Sequence, residues 1–253
     1  MPHLPFLPRN RGGSFAAGPA APVGASTVTR QDDLMHWWKC DETSGTEAAD
    51  SGPDASGNGL TERPLTLANG AAFASGGRDG YAIDFDGSDD VASTADEVIA
   101  DAAIRGTNNA YTISMWFKPS GITAYYDGVG GLMNGIKGAF LLVQDDLFLA
   151  YHNDSGGDWD EAASAVVTIS DDSWYLYTQT WDGSTATAYL NAVSKGTLSE
   201  SSFWAGPYEV DVGDWTGAHA PFNGLIDDVR LYDVALTAGE VGDIYNSGSG
   251  DLP

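Results

Sequence analysis

Hydrophobic and polar residues alternate over short stretches along most of the chain. Tyr111, Ile113, Met115 and Phe117 show the pattern, because every second residue of a β-strand points to the same face. Similar stretches recur as far as Tyr232, and turns rich in glycine and aspartate separate them. This periodicity predicts an all-β protein, a sandwich of two antiparallel sheets.

Two β-hairpins follow from the spacing of these stretches. Residues 140–143 and 147–150 are close enough along the chain to be joined by a tight turn. Residues 174–181 and 185–191 flank Asp182-Gly183, a pair that is frequent in hairpin turns because both residues tolerate unusual backbone angles. We therefore expect each pair of stretches to form adjacent antiparallel strands.

Helix is predicted at two places. Residues 96–105 suit one short helix. The second helix is better specified, because Thr237 and Glu240 have the spacing of a capping box, and Leu236 and Val241 have that of a hydrophobic staple. We expect a short helix directly after the last strand.

Several stretches, taken in chain order, resemble a known family. They are Trp37-Trp38, Asp41–Gly45, the loop from Asp50 to Gly59, Ala82–Asp90, Tyr111–Pro119, Trp174–Gly183, Phe222–Tyr232 and Leu236–Glu240. Together they resemble a laminin G-like domain of the concanavalin A-like lectin/glucanase superfamily, over about residues 34–246. The resemblance implies a concanavalin A-like jelly roll. One departure is Asn191-Ala192, where the family usually turns on Asn-Gly, and it leaves the geometry of that turn open.

The resemblance also implies a structural calcium ion. We expect Asp50, Asn58 and Asp227 as its ligands, because Ca²⁺ prefers carboxylate, amide and carbonyl oxygens on glycine-containing loops. The alternative is that Asp50 and Asn58 cap turns through their side chains, while Asp227 or Asp228 pairs with Arg230.

The charge of the chain narrows the function classes. It has 36 acidic against 11 basic residues, a net charge of −25, and aspartate supplies most of the acidic groups. Such a surface repels phosphate and anionic lipid, so we expect no nucleic-acid partner and no membrane insertion. It suits either salt adaptation or the binding of hard cations.

A single cysteine, Cys40, excludes an internal disulfide and a thiolate zinc cluster.

The first 30 residues differ from the rest of the chain. They contain 5 of the 11 prolines and three arginines, but no acidic residue. We interpret residues 1–30 as an extended basic arm, 31–246 as the jelly-roll domain and 247–253 as a tail. The apolar residues with which the arm would anchor to a partner are Leu4, Phe6, Leu7 and Phe15. We read neither a signal peptide nor a transmembrane segment from the sequence.

Aromatic residues in glycine- and aspartate-rich loops are the best candidates for ligand binding, since sugar rings stack on aromatic faces. These candidates are Trp159, Trp204, Tyr208 and Trp215. Glu209, Asp211 and Asp214 form a different pattern. It is similar to the carboxylate motif of laminarinases and lichenases, except that Asp214 stands where their glutamate stands. An aspartate is one methylene shorter, so we expect no catalytic residues.

We therefore expect a non-catalytic structural, decoration or adhesion protein of a large assembly, specifically a virion accessory protein of a phage or archaeal virus. The arm would attach it to other protein chains of a capsid, tail or fibre, as a homo-oligomer. Its laminin G-like domain would bind surface glycans on the virion or in the extracellular space. One alternative is an extracellular carbohydrate-binding module. The other is a β-glucan hydrolase that uses Glu209 and Asp214.

Overall fold

Alternating side chains build a succession of short strands, closed by one helix. The computed structural model describes residues 28–52, 62–94, 110–122, 127–134, 137–144, 147–153, 159–199, 209–214 and 221–246. Its strands are β1 (Leu34–Trp38), β2 (Glu47–Ala48), β3 (Leu65–Ala68), β4 (Ala72–Gly77), β5 (Gly80–Asp86), β6 (Val91–Ser93), β7 (Tyr111–Pro119), β8 (Asp127–Asn134), β9 (Lys137–Gln144), β10 (Leu147–Asn153), β11 (Trp159–Val166), β12 (Tyr175–Trp181), β13 (Thr185–Leu190), β14 (Val193–Ser199), β15 (Glu209–Val212) and β16 (Asn223–Tyr232). A 3₁₀ turn, Gln31–Asp33, precedes β1, and helix α1 is Ala238–Tyr245.

The strands form two antiparallel sheets, which confirms the predicted sandwich. Sheet A has the order β14-β13-β12-β7-β16-β5-β4, and β1 also pairs with β16. Sheet B has the order β11-β10-β9-β8-β15-β6-β3-β2. The core lies between the two sheets and contains Tyr111, Ile113, Met115 and Phe117, the predicted inner face of β7. Full burial of such side chains stabilises the fold by about 1.5–3 kcal/mol each.

Both predicted hairpins are present. Strands β9 and β10 pair with Gln144 opposite Leu147, and β12 and β13 pair with Trp181 opposite Ala186. In the second hairpin the Asp182 carboxylate accepts hydrogen bonds from the backbone N–H groups of Ser184 and Thr185. The predicted helix at 96–105 lies outside the described residues.

Helix α1 begins where the capping box predicted. The Thr237 side chain accepts a hydrogen bond from the Glu240 N–H, and the Glu240 carboxylate accepts one from the Thr237 N–H. Leu236 and Val241 are buried together with Trp116 in a second apolar cluster, separate from the core between the sheets. Because Trp116 alternates with the inward residues of β7, this cluster lies on the outer face of sheet A, and α1 covers that face. Among the described helices, none combines the length and apolar character that a membrane crossing requires.

A bulge divides strand β16 into two halves. The register shifts between Asp227 and Arg230, and Asp228 has a left-handed backbone with φ of 51°. On one edge of β16, β5 pairs with residues 223–226 and β1 pairs with residues 229–232. The C-terminal strand therefore lies beside the N-terminal strand.

The turn at Asn191-Ala192 keeps the geometry of an Asn-Gly turn. Both residues are left-handed, with φ of 52° and 60°, which is the conformation of a type I′ hairpin turn. The Asn191 side chain also accepts a hydrogen bond from the Leu176 N–H. Position 192 therefore departs from the family pattern in its residue type, but it keeps the left-handed backbone conformation of an Asn-Gly turn.

We predict that Ala192→Gly stabilises the protein. The left-handed backbone destabilises alanine by about 1–2 kcal/mol, a cost that glycine avoids. Glycine also makes the unfolded chain more flexible, which lowers stability by about 0.4–1 kcal/mol. The free energy of unfolding should therefore rise by about 0.5–1 kcal/mol. Urea unfolding measures this difference. The matched control is Ala72→Gly at an exposed position of β4, which should lower stability. An unchanged or lower midpoint for Ala192→Gly would contradict the prediction.

Candidate binding face and metal sites

Five neighbouring strands of sheet B place one residue each in a single cross-strand row. The row runs from Thr66 on β3 through Ser93 on β6, Asp211 on β15 and Gly131 on β8 to Phe140 on β9. The residues on either side of these positions, such as Val210 and Val212, belong to the core between the sheets. By alternation the row lies on the outer face of sheet B, and we call it the outer row.

Asp211 is the chemically unusual member of the outer row. Its exposed fraction is only 2%, and its Oδ2 atom is buried without a hydrogen-bond partner. Burial raises its pKa to about 8, and the nearby charges of Glu209 and Asp214 add to the shift. Asp211 is therefore mainly protonated at neutral pH and offers an O–H donor as well as an acceptor.

The other members of the outer row surround this carboxyl with small or apolar groups. Thr66 and Ser93 are partly exposed, whereas Phe140 is buried. Gly131 stands between Asp211 and Phe140, and a Cβ atom there would lie 2.0 Å from the Ala139 carbonyl oxygen. Only glycine fits this position, so position 131 itself places no side chain between the carboxyl group and the aromatic ring.

The acidic pattern of residues 209–214 is partly assembled by the fold. Glu209 and Asp211 lie on the same face of β15, as their spacing predicted. Asp214 comes after the strand, beyond the left-handed Gly213 with φ of 92°. Of the aromatic ligand-binding candidates, Trp159 begins β11, whereas Trp204, Tyr208 and Trp215 lie outside the described residues. The four apolar anchors of the arm also lie outside them, so these assignments stay predictions.

Asp50, the first predicted calcium ligand, is held by hydrogen bonds. Its carboxylate accepts them from His36 Nδ1 and from the backbone N–H groups of Trp37, Gly52 and Arg63, at 2.5, 3.1, 3.0 and 3.1 Å. Burial raises its pKa, but the hydrogen bonds and the charge of His36 outweigh this effect, so the pKa lies below its usual value. The bond from Gly52 confirms the turn-capping alternative for this residue.

Asp50 also borders an acidic pocket of about 250 Å³. Its lining is Glu42, Glu47, Ala49, Asp50, Glu62 and Pro64. Glu42 accepts a hydrogen bond from the Ala49 N–H through Oε1, while its Oε2 atom is buried without a partner. This oxygen-rich donor set suits a hard cation such as Ca²⁺. Sequence analysis identified Asp50 but not these glutamates, because they are spread over the chain and meet only when β2 pairs with β3.

The other two predicted calcium ligands, Asn58 and Asp227, are not among the described residues that line this pocket. Asn58 lies outside the described residues. Asp227 is 2% exposed and accepts a hydrogen bond from the Arg78 N–H at 2.6 Å. Burial raises its pKa to about 8. Trp38 of β1 bridges to Asp50 on one edge and pairs with β16 on the other, so β1 lies between Asp50 and the strand of Asp227. The calcium ion stays a prediction.

Comparison with known proteins agrees with this fold. A laminin G family model, described as the concanavalin A-like lectin/glucanases superfamily, matches residues 86–242, more than half of the chain. The chain belongs to this superfamily. No curated protein sequence matches it.

Solved structures with the same fold include sugar-binding and toxin domains. Domain 4 of AbnA, a GH43 extracellular arabinanase from Geobacillus stearothermophilus in complex with arabinotriose, is 20% identical, with a TM-score of 0.63 over 83% of this chain and 97% of that chain. The binding domain of Paraclostridial Mosquitocidal Protein 1 is 17% identical, with a TM-score of 0.65 over 86% of this chain. The receptor binding domain of botulinum neurotoxin C/D mosaic serotype is 11% identical, with a TM-score of 0.62 over 86%. The chain described here spans about half of the length of these two toxin chains, 53% and 52% respectively. At these identities the likeness concerns the fold.

We predict that Asp211 makes stability depend on pH. Folded Asp211 keeps its proton up to about pH 8, whereas the unfolded chain loses it near pH 4. The contribution of Asp211 to the free energy of unfolding is therefore fully present at low pH and is lost as the pH rises through 8. Asp211→Asn keeps the shape without the ionisation. Thermal unfolding at about pH 5, 7 and 9 should show the variant gaining stability over the wild type as the pH rises. The control Asp243→Asn, at an exposed position, should show a constant difference. A constant difference for Asp211→Asn would contradict the assignment.

Proposed function

We propose that this laminin G-like domain is a non-catalytic glycan-binding module that an assembly displays through the N-terminal arm. The observation that carries the proposal is the outer row of sheet B. It combines two hydroxyl side chains, a buried carboxyl group whose Oδ2 atom has no hydrogen-bond partner, and a buried aromatic ring. A small set of polar groups beside an apolar surface is the usual composition of a ligand site.

The chemistry of the outer row matches that of a sugar. A sugar presents hydroxyl groups, which both donate and accept hydrogen bonds, and C–H faces that stack on aromatic rings. The protonated carboxyl of Asp211 also donates and accepts, so it could bind a sugar hydroxyl without placing a charge beside it. Thr66 and Ser93 are partly exposed and would extend these contacts toward solvent.

The related structures support a binding role. One is a domain of an arabinanase solved in complex with arabinotriose, and the others are toxin binding domains. The jelly roll thus serves as a recognition module in several of its relatives.

We predict that substitutions in the outer row weaken glycan binding. A glycan array identifies the ligand, and calorimetry then compares Thr66→Ala/Ser93→Ala with the wild type. Loss of two hydrogen bonds should weaken binding roughly tenfold. The matched control is Ser194→Ala/Thr197→Ala on the edge strand β14 of sheet A, which removes the same two hydroxyl groups from exposed positions. Asp211→Asn should retain binding near neutral pH, because an amide also donates and accepts, whereas Asp211→Ala should lose it.

Two results would contradict this function. Equal binding by wild type and the Thr66→Ala/Ser93→Ala variant would place the glycan elsewhere. Shortening of the bound glycan, abolished in Glu209→Gln, would favour the hydrolase alternative. The specific observation for that alternative is the common face of Glu209 and Asp211 on β15.

The attachment role of the arm rests on charge and on where the arm joins the domain. Residues 1–30 are basic, while the remainder of the chain is strongly acidic. Val28 packs against the apolar cluster beneath α1, and Arg30 pairs with Asp33 and Glu240. The arm therefore joins the domain on the side of sheet A, opposite the outer row. Attachment through the arm would leave the outer row facing away from the assembly, as a virion accessory protein requires.

We predict that removal of residues 1–27 prevents attachment without unfolding the domain. The deletion keeps Val28 and Arg30, whose contacts belong to the folded domain, so the melting temperature should stay unchanged. Co-sedimentation with the assembled particle should be lost. A milder variant replaces Leu4, Phe6, Leu7 and Phe15 with serine, because burial of such side chains would supply about 1.5–3 kcal/mol each. Full incorporation of either variant would contradict an anchoring role.

A further inference from the structure

The outer row of sheet B continues beyond Thr66 to the edge strand β2. Glu47 of β2 lies directly opposite Thr66 of β3. Its neighbour Ala48 belongs to the core between the sheets, so Glu47 lies on the outer face by alternation, and it is exposed. Glu47 also lines the acidic pocket at Asp50. The acidic pocket therefore adjoins the outer row.

The pocket is rich in hydrogen-bond acceptors. Glu42 Oε2 is buried without a partner, which is unfavourable for a carboxylate oxygen. Within the described part of the chain, no basic side chain forms an ion pair with Glu42, Glu47 or Glu62. Asp50 adds a fourth carboxylate, and its donors hold its pKa below the usual value. Negative charge is therefore concentrated at one end of a row of hydroxyl groups.

The volume of the pocket admits an organic group. One water molecule needs about 10–15 Å³ of such space, whereas the pocket has about 250 Å³. A protonated amine on a carbon skeleton would occupy this space and donate up to three hydrogen bonds to the carboxylates. Such charge-assisted bonds are roughly twice as strong as neutral ones.

The hydroxyl groups beside the pocket favour a sugar as the carrier of that amine. Neighbouring strands are about 4.8 Å apart, so Glu47, Thr66 and Ser93 together span about 10 Å of the sheet. An oligosaccharide along the row can place hydroxyl groups at Thr66 and Ser93 and an amine at Glu47. The net charge of −25 attracts cationic sugars and repels uronic acids and sulfated sugars.

We propose that the outer row and the acidic pocket together select a glycan with free amino groups, whose protonated amine binds in the pocket while its hydroxyl groups contact the row. This inference rests on the proposed glycan-binding function and names the class of its ligand. Glu47 determines the specificity, because it belongs to both the row and the pocket. N-acetylation removes the charge of the amine, so the acetylated form of the same glycan should bind more weakly.

The test is a glycan array that carries amino-sugar oligosaccharides in matched pairs, one member with free amines and one N-acetylated. The full chain is applied at slightly acidic pH, where the amines are protonated, and at low ionic strength, because salt screens their attraction to the pocket. Calorimetry on the best pair should show that the free-amine member binds roughly tenfold more tightly. The two members differ only at the nitrogen, so this ratio measures recognition of the amine.

Two double variants separate the pocket from the row. Glu47→Gln/Glu62→Gln should bind the free-amine member about tenfold more weakly and the N-acetylated member as the wild type does. Thr66→Ala/Ser93→Ala should weaken the binding of both members. A melting curve shows that each variant is folded.

The matched control is Asp32→Asn/Asp243→Asn, which removes two charges from exposed positions outside the pocket and should keep the wild-type preference. The inference is overturned, and the glycan-binding function left standing, if all array hits are neutral or acidic glycans. Unchanged binding by Glu47→Gln/Glu62→Gln has the same consequence. Tighter binding of a lysine tetramer than of any amino sugar would assign the pocket to a basic peptide and overturn the inference. An array without any hit would overturn both the inference and the proposed function.

Discussion

A buried ion pair on strand β16 organises the rest of this structure. Arg230 is completely buried, and its guanidinium forms two hydrogen bonds of 2.9 Å with the Asp228 carboxylate. The guanidinium also lies 4.6 Å from the centre of the Trp37 ring, whose Nε1–H donates to Asp228. Removal of one partner from a buried pair leaves an uncompensated charge and costs about 3–5 kcal/mol. This ion pair fixes the position of the bulge in β16. The same edge of β16 pairs with β5 before the bulge and with β1 after it.

The two outer faces of the sandwich differ in chemistry. On sheet A, β1 and β16 contribute Trp37, Leu34 and Tyr232 to the apolar cluster that α1 covers. On sheet B, the corresponding face carries hydroxyl groups, a glycine and the buried carboxyl of Asp211. Helix α1 covers the first face, and the second contains a buried carboxyl oxygen, Asp211 Oδ2, without a hydrogen-bond partner. This asymmetry supports our proposal that attachment uses the first side and recognition the second.

The same residue type has three different fates in this acidic chain. Asp228 forms an ion pair with Arg230, and the pKa of Asp50 is held low by the donors around it. Asp211 and Asp227 are buried, and their pKa values rise to about 8. The net charge calculated from the composition assigns one negative charge to each of these aspartates. The chain therefore carries less charge inside the fold near neutral pH than its formula indicates, because burial favours the protonated acid.

Local sequence was sufficient for much of this fold. The alternation at Tyr111–Phe117, the hairpin at Asp182 and the capping box at Thr237 each depend on neighbours within a few residues, so their patterns are visible in the chain. The face shared by Glu209 and Asp211 follows from the same alternation. The burial of Asp211 and the acidic pocket around Glu42 could not be predicted in this way. They depend on which distant strands become neighbours, and only the pairing of the two sheets decided that.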